Sequence, residues 1–367
     1  MSIKVWSYLD EYHSEKATIL KSIEEVLESG MLILGDKVRD FEKQFSRYCG
    51  CDFGVGVNSA TDALFLAMKS LGIGEGDEVI TVSNTAVPTV SAIVATGATT
   101  VFVDIDPITY LMDVTKIRNV ITNNTKCIIP VHLFGQCVNM SQLYTSIEDL
   151  DIKVIEDCSQ SHGAKFEGKT CGSFGDMSVF SFYPTKILGG YGDGGMIITN
   201  NHTYYSKLKR LRFYGMEQTY YALESGYNSR LDEIHASILL TKLQNLDNYI
   251  ARRREIAEIY NVELKNSSLS LPIELENNFH SYYLYVVRHE KRDEIIEKLK
   301  EKDILVNISY PFPIHTMTGY TYLGYKNGDF PETEKAANEI FSLPMYPSLK
   351  DEEVLSVCEI LKSILAE

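Results

Sequence analysis

The sequence has no apolar run approaching the roughly 20 residues that a helix needs to cross a bilayer. Its opening stretch, MSIKVWSYLDEYHSEK, holds no apolar segment of signal-peptide length. A cytoplasmic protein without a membrane partner is therefore expected. Basic side chains are also in short supply: 35 Lys and Arg face 50 Asp and Glu, a formal net charge of -15. That balance argues against a nucleic-acid partner, because a phosphate backbone is gripped by a basic face, and any anionic ligand has to be held by local groups. The seven cysteines (49, 51, 127, 137, 158, 171 and 358) are odd in number and lack paired CxxC spacing. Neither a disulfide framework nor a metal site is expected from them. No local excess of Gly, Pro or Ser marks a linker, and no internal repeat or low-complexity segment stands out.

What is present reads as a folded chain of two domains, since 367 residues with 44% hydrophobic and 23% charged side chains exceed one small core. Leu20, Ile23 and Leu27 recur at helical spacing and Gly30 follows as a stop, which predicts an N-terminal helix over 14–29. A second helix is predicted from Thr61 to Gly72, with Asp62 in its first turn. Short apolar runs then alternate with helix-like stretches: EVITV (78–82), TTVFVDI (99–105), KCIIPVHLF (126–134), KVIED (153–157), MSVFSF (177–182) and MIIT (196–199). Such runs suit strands buried on both faces of a mostly parallel sheet. An α/β domain is expected over 1–245. Beyond it a Tyr-rich HSYYLYVVRH, an amphipathic helix at 291–302 and a last helix carrying Val354, Val357, Leu361 and Leu365 predict a smaller α+β domain over 246–367.

One motif is deceptive. Gly163 to Thr170 matches the P-loop pattern GxxxxGK[ST], but a P-loop leads directly into a helix, whereas Cys171-Gly-Ser-Phe-Gly-Asp176 cannot form one. The expected structure is a tight turn at Glu167-Gly168 between short strands. On either side lies stronger chemistry. The strand run ending in Glu156-Asp157 places carboxylates at an apolar strand tip, where an ionised group needs a cationic partner such as a protonated pyridine nitrogen. Downstream, Lys186 stands in a stretch otherwise free of cations, ahead of Gly189-Gly-Tyr-Gly-Asp-Gly-Gly195, a loop able to turn sharply beneath a flat ring. A lysine so placed is a candidate nucleophile toward an aldehyde. On chemistry alone, a surface lysine remains the alternative.

The strings GVNSATDAL, PVHLFGQ, EDCSQSHGA, FSFYPTKILGGYGDGG and GYNSRLDEIHASIL occur in the order seen in the sugar-nucleotide aminotransferases of the DegT type. The chain resembles that family over nearly its whole length. The resemblance implies the aspartate-aminotransferase fold: a mostly parallel seven-stranded sheet flanked by helices, a smaller C-terminal domain, and a homodimer with shared active sites. It implies pyridoxal 5'-phosphate as cofactor, with Lys186 as its Schiff-base lysine and Asp157 on its ring nitrogen. Ser59, Ala60 and Thr61 correspond to the phosphate cradle at a helix start, Ser181 to a further phosphate ligand, and Gln160 to the partner of the ring hydroxyl. Asn228 corresponds to a residue reaching the phosphate from the other subunit, with a turn residue as the alternative. Where many relatives stack an aromatic on the ring, this chain has Ala86, within a Thr85-Ala86-Val87 string similar to enzymes acting at C3 of dTDP-6-deoxyhexoses. Ile187 also departs, at a position where Asn is frequent.

The activity so implied moves an amino group from L-glutamate to a nucleotide-linked keto-deoxysugar. The favoured acceptor is C3 of a dTDP-3-keto-6-deoxyhexose; the alternative is a 4-keto-6-deoxyhexose on dTDP, UDP or GDP. A non-catalytic regulatory member of the family is the alternative of a different class; retention of Lys186 and Asp157 weighs against it. Tyr183, Tyr310 and His315 are candidates for the sugar nucleotide, with core aromatics as the alternative for the two tyrosines. Arg212 and Arg230 are candidates for a carboxylate or diphosphate. Arg252, Arg253 and Arg254 are expected to form a solvated helix face.

Overall fold

A computed structural model describes residues 2–366. Nine strands occupy its first two hundred residues. They are β1 (Phe53–Val57), β2 (Glu78–Val82), β3 (Thr99–Val103), β4 (Thr125–Ile128), β5 (Lys153–Asp157), β6 (Lys165–Phe166), β7 (Lys169–Thr170), β8 (Met177–Ser181) and β9 (Gly195–Thr199). Seven of them form one sheet in the order β1-β9-β8-β5-β4-β2-β3. Strand β9 runs against β1 and β8, and the remaining neighbours pair parallel.

The all-apolar runs are explained by two-sided burial. Ile80, Val154, Phe180 and Ile198 enter one core, while their chain neighbours Val79, Ile155, Val179 and Ile197 enter another on the opposite face. Strand β1 went unread because Gly54 and Gly56 dilute its apolar pattern. A Cβ on Gly54 would stand 2.6 Å from the Glu42 carbonyl oxygen, so the close helix at this edge requires the missing side chain.

Eleven helices cover the sheet and build the rest: α1 (Leu9–Ser29), α2 (Asp36–Tyr48), α3 (Ala60–Leu71), α4 (Val87–Ala95), α5 (Met140–Ile147), α6 (His202–Leu211), α7 (Glu233–Leu243), α8 (Leu246–Leu264), α9 (Arg292–Glu301), α10 (Pro331–Glu339) and α11 (Asp351–Leu365). Helix α1 ends at Gly30 in the left-handed conformation. It buries Ile19 and Val26, and leaves Leu20 and Leu27 48% and 57% exposed, so the predicted apolar face is not the one packed within the chain. The RLDEIH segment is largely structural: Asp232 caps α7, and the buried Glu233 carboxylate accepts the N–H groups of Gly35, Lys37 and Val38 at the start of α2.

A separate core gathers α9, α11 and the antiparallel pair Tyr285–Arg288 and Ile340–Leu343. Helix α8 enters both cores, with Leu246 and Ile250 in one and Ile256, Tyr260 and Leu264 in the other. Its arginines are not a uniform solvated face. Arg253 is 2% exposed and donates through Nη1 to the carbonyls of Tyr282, Tyr283 and Met345.

The turn at Glu167-Gly168 joins β6 and β7, both residues having positive φ. The loop after it does cradle an anion, but a protein one: Glu156 accepts the N–H groups of Gly172, Phe174 and Gly175 and bonds His132 Nε2 at 2.9 Å. Burial opposes this charge, yet these donors hold Glu156 below the ordinary carboxylate range. Against expectation, Cys137 and Cys171 form a disulfide, Cα atoms 6.3 Å apart, tying this loop to the one after β4. His132 lies within 4.8 Å of both sulfurs, a cluster made by the fold and invisible in chain spacing. No helix among the described residues is long and apolar enough to cross a membrane.

Candidate active site

Helix α3 follows β1, α4 follows β2, Asp157 ends β5 and Ser181 ends β8. Their convergence at the carboxyl ends of parallel strands opens a cavity of about 280 Å³, where open α/β sheets bind ligands. Ser59, Ala60 and Thr61 line one part of it. Ser59 is the N-cap of α3 and accepts the Asp62 N–H at 3.2 Å, so the first-turn N–H groups of Ala60 and Thr61 have no partner within the helix. An anion is favoured there by these donors and by the helix dipole. Ser181 also lines the cavity.

The glycine loop serves this turn in an unexpected way. None of the glycines from 189 to 195 has a positive φ. What matters is close approach, since a Cβ on Gly195 would stand 2.4 Å from the Ser59 carbonyl carbon.

Adjacent residues on a strand face opposite sides, so Glu156 turns to its loop and Asp157 to the cavity. Asp157 is 4% exposed; its carboxylate accepts the Thr89 hydroxyl at 3.0 Å and the Ser159 N–H at 3.1 Å. No Lys, Arg or His among the described residues pairs with it. Thr89, itself bonded to Thr85 at 3.1 Å, was missed by sequence reading; its signal was a hydroxyl in the first turn of α4, one residue after Pro88.

Lys186 lies on the loop after β8, half-buried, with Nζ 4.6 Å from the centre of the Tyr283 ring. It lines the cavity, as do Tyr183 and Gln160. Gln160 is held at both ends, accepting the Phe134 N–H at 3.0 Å and donating to the Tyr310 hydroxyl at 2.8 Å. Burial, with Tyr283 and Asp157 nearby, raises the Tyr310 phenol and keeps it protonated. Ala86 lines the cavity together with Pro88 and Val131, and Tyr183 is the one aromatic among the described lining residues.

Other sequence candidates lie elsewhere. Arg212 is buried against Glu42 and the Gly56 carbonyl. His315 is 1% exposed, bonded to Ser83 at 2.7 Å and Glu334 at 3.0 Å. Both side chains are engaged within the fold and do not face the cavity, so the substrate contacts expected of them are withdrawn. Arg230 lies over the rings of Phe213 and Tyr214, at 5.3 and 5.6 Å. Asn228 is exposed and outside the cavity, though its neighbour Ser229 bonds Asn58 at 2.9 Å, beside the start of α3.

The description "DegT/DnrJ/EryC1/StrS aminotransferase family" is that of a family model matching residues 13–362. The chain belongs to this family. It is 49% identical, over 100% of its length and 99% of the relative's, to a dTDP-3-amino-3,4,6-trideoxy-alpha-D-glucose transaminase of Micromonospora megalomicea subsp. nigra. A dTDP-3-amino-3,6-dideoxy-alpha-D-galactopyranose transaminase of Aneurinibacillus thermoaerophilus is 44% identical, with 93% of each chain covered. Among solved structures, DesV of S. venezuelae in complex with a ketimine intermediate matches with a TM-score of 0.98 at 35% identity, covering 100% of this chain and 99% of that one. The chain is thus a sugar aminotransferase, and enzymes of its family use pyridoxal 5'-phosphate.

The residues present fit that cofactor. A buried carboxylate with no paired cation among the described residues, Asp157, suits a protonated ring nitrogen, and the α3 start suits a phosphate. When bound, the cofactor supplies an electron sink for the substrate carbanion.

Proposed function

We propose that this aminotransferase takes its amino group from L-glutamate and delivers it to C3 of a dTDP-3-keto-6-deoxyhexose. The observation that carries the chemistry is one cavity lined by Lys186, by the cation-free carboxylate of Asp157 and by the start of α3. The sugar is supported by relatives whose names specify 3-amino products on dTDP. In this reading Lys186 anchors the cofactor and carries the proton between the substrate carbon and the cofactor, being tethered beside both. Asp157 keeps the ring nitrogen protonated, Gln160 bonds the ring hydroxyl, and Ser59, Ala60, Thr61 and Ser181 hold the phosphate. Tyr183, 52% exposed at the cavity, and Tyr310, beside Gln160, face the sugar. Mixing the amino-loaded enzyme with 3-keto and with 4-keto dTDP-sugars, and following the cofactor's visible absorbance, tests the regiochemistry. Return of the absorbance is expected with the 3-keto sugar; turnover confined to the 4-keto sugar overturns the C3 assignment.

The same reading makes the enzyme a homodimer in which Asn228 reaches the partner's phosphate site. Support comes from exposed apolar side chains that a lone chain leaves in water, Leu27, Met31, Leu32 and Ile33 among them, each at least 43% exposed. Mixed dimers of an inactive Lys186 variant and an inactive Asn228 variant are expected to regain part of the activity, because one of the two composite sites is whole. Absence of any complementation, with subunit exchange demonstrated, places both residues in one chain's site.

A further inference from the structure

Tyr283 meets two consecutive residues of the loop that carries Lys186. Its ring centre lies 4.6 Å from Lys186 Nζ, and its hydroxyl shares a 3.1 Å hydrogen bond with the Thr185 hydroxyl, 98 positions earlier in the chain. The Lys186 amine forms no hydrogen bond or ion pair among the described residues, so the ring is the group it rests on. That ring is itself fixed through its backbone. The Tyr283 carbonyl accepts Nη1 of Arg253 at 3.1 Å, and the same buried guanidinium reaches the carbonyls of Tyr282 and Met345 at 3.3 and 3.0 Å. On the other side, the Leu284 N–H donates at 3.2 Å to the carbonyl of Phe134, in the loop after β4. Tyr283 is thus anchored both to α8 and to the large sheet, and a side chain so supported keeps its ring in one place.

The expected chemistry needs such a resting place. A lysine that carries a proton between two reacting carbons must leave the cofactor and remain within reach of it. A carboxylate at this place would grip the amine through charge-assisted hydrogen bonds and occupy its protons. A ring face attracts the cation more weakly, and so keeps the amine near without tying it down. The hydroxyl acts on the chain rather than on the amine: by bonding Thr185 it steadies the residue before Lys186.

We propose that Tyr283 is a positioning residue for Lys186, its ring holding the free amine beside the cavity at the strand ends and its hydroxyl fixing the loop through Thr185. The proposal rests on the aminotransferase reading and adds to it a residue, from the segment beyond α8, that sets where Lys186 waits.

The test mixes cofactor-free enzyme with pyridoxal 5'-phosphate in stopped flow, where the rise of visible absorbance reads how readily the Lys186 amine meets the cofactor's aldehyde. The dissociation constant of pyridoxamine 5'-phosphate, which has no aldehyde, reads binding of the cofactor alone. Tyr283→Leu is expected to slow the rise about tenfold and to leave that dissociation constant at the parental value. Tyr283→Phe, which keeps the ring and loses only the bond to Thr185, is expected to recover most of the rate. Should Tyr283→Leu fail to fold, Tyr283→Met decides, an unbranched side chain that fills the space without a ring. A parental rate in the folded ringless variants overturns the proposal and leaves the functional reading standing. An equal loss of rate and of pyridoxamine 5'-phosphate affinity overturns it too, by making Tyr283 a support of the whole site. A parental enzyme that develops no visible absorbance sinks the functional reading itself.

Discussion

Alanine in place of Lys186 is expected to lower turnover by about 10³-fold or more, within the range attributed to a positioned proton-transfer group, and to abolish the cofactor's visible absorbance. The fold should survive. Lys186 lies on a loop, half-buried, with its Nζ 4.6 Å from the centre of the Tyr283 ring, and makes no ion pair among the described residues. Losing such a cation–π contact costs about 1 kcal/mol, a small part of the stability of a chain this size. Activity is expected to collapse because no other amine shares this position: Lys242 is held by Glu11, and Arg253 is a guanidinium fixed to backbone carbonyls. Single-turnover kinetics with glutamate, absorbance spectra and circular dichroism together separate a chemical loss from a folding loss. Parental turnover in a well-folded Lys186→Ala protein would remove the lysine from the mechanism.

Why the sequence exposed some of this and hid the rest follows from the range of the forces involved. Apolar runs such as Glu78–Val82 and Lys153–Asp157 coincide with strands because burial on both faces writes itself locally, residue by residue. Strand β1 broke that rule: a neighbouring helix required glycine where an apolar side chain would have signalled a strand. Asp157 and Lys186 drew attention because each stands out of place along the chain, a carboxylate at an apolar strand tip and a lone cation ahead of a glycine-rich loop; chemistry alone left a surface lysine open, and what the fold adds is that both line one cavity. Arg212, His315 and Arg253 were misread for the converse reason. Their partners, Glu42, Glu334 and the carbonyls of 282, 283 and 345, lie far along the chain, and charge alone does not tell an engaged side chain from a free one. The Cys137–Cys171 pairing and the meeting of Lys186 with Tyr283 belong to the same class, being contacts made by the fold between distant segments.

Asparagine in place of Asp157 is expected to leave a folded protein that still takes up the cofactor and turns over about 10²-fold or more slowly, the size of effect seen when a preorganised electrostatic group is removed from a site where charge develops. The geometry allows the exchange. Oδ1 can go on accepting the Ser159 N–H, at 3.1 Å in the parent, and the new amide can donate to the Thr89 oxygen, 3.0 Å from Oδ2, while Thr89 turns its proton toward Thr85 at 3.1 Å. Shape and hydrogen bonds are thereby kept, and what disappears is one negative charge, buried and without a paired cation among the described residues. That charge is the reason a pyridine nitrogen here would stay protonated, since an anion within hydrogen-bond reach favours the charged form and burial alone opposes it. Without that carboxylate, the asparagine would not hold the ring nitrogen of a bound cofactor protonated, and the electron sink the cofactor would supply would be weaker. Turnover should therefore fall, while binding, secured at the α3 start and at Lys186, should suffer less. The check is kcat measured at saturating cofactor together with the cofactor's dissociation constant. A kcat within a few-fold of the parent, with Lys186 intact, would mean that the electron sink is held by a group other than Asp157; equal losses in kcat and cofactor affinity would make its role one of binding alone.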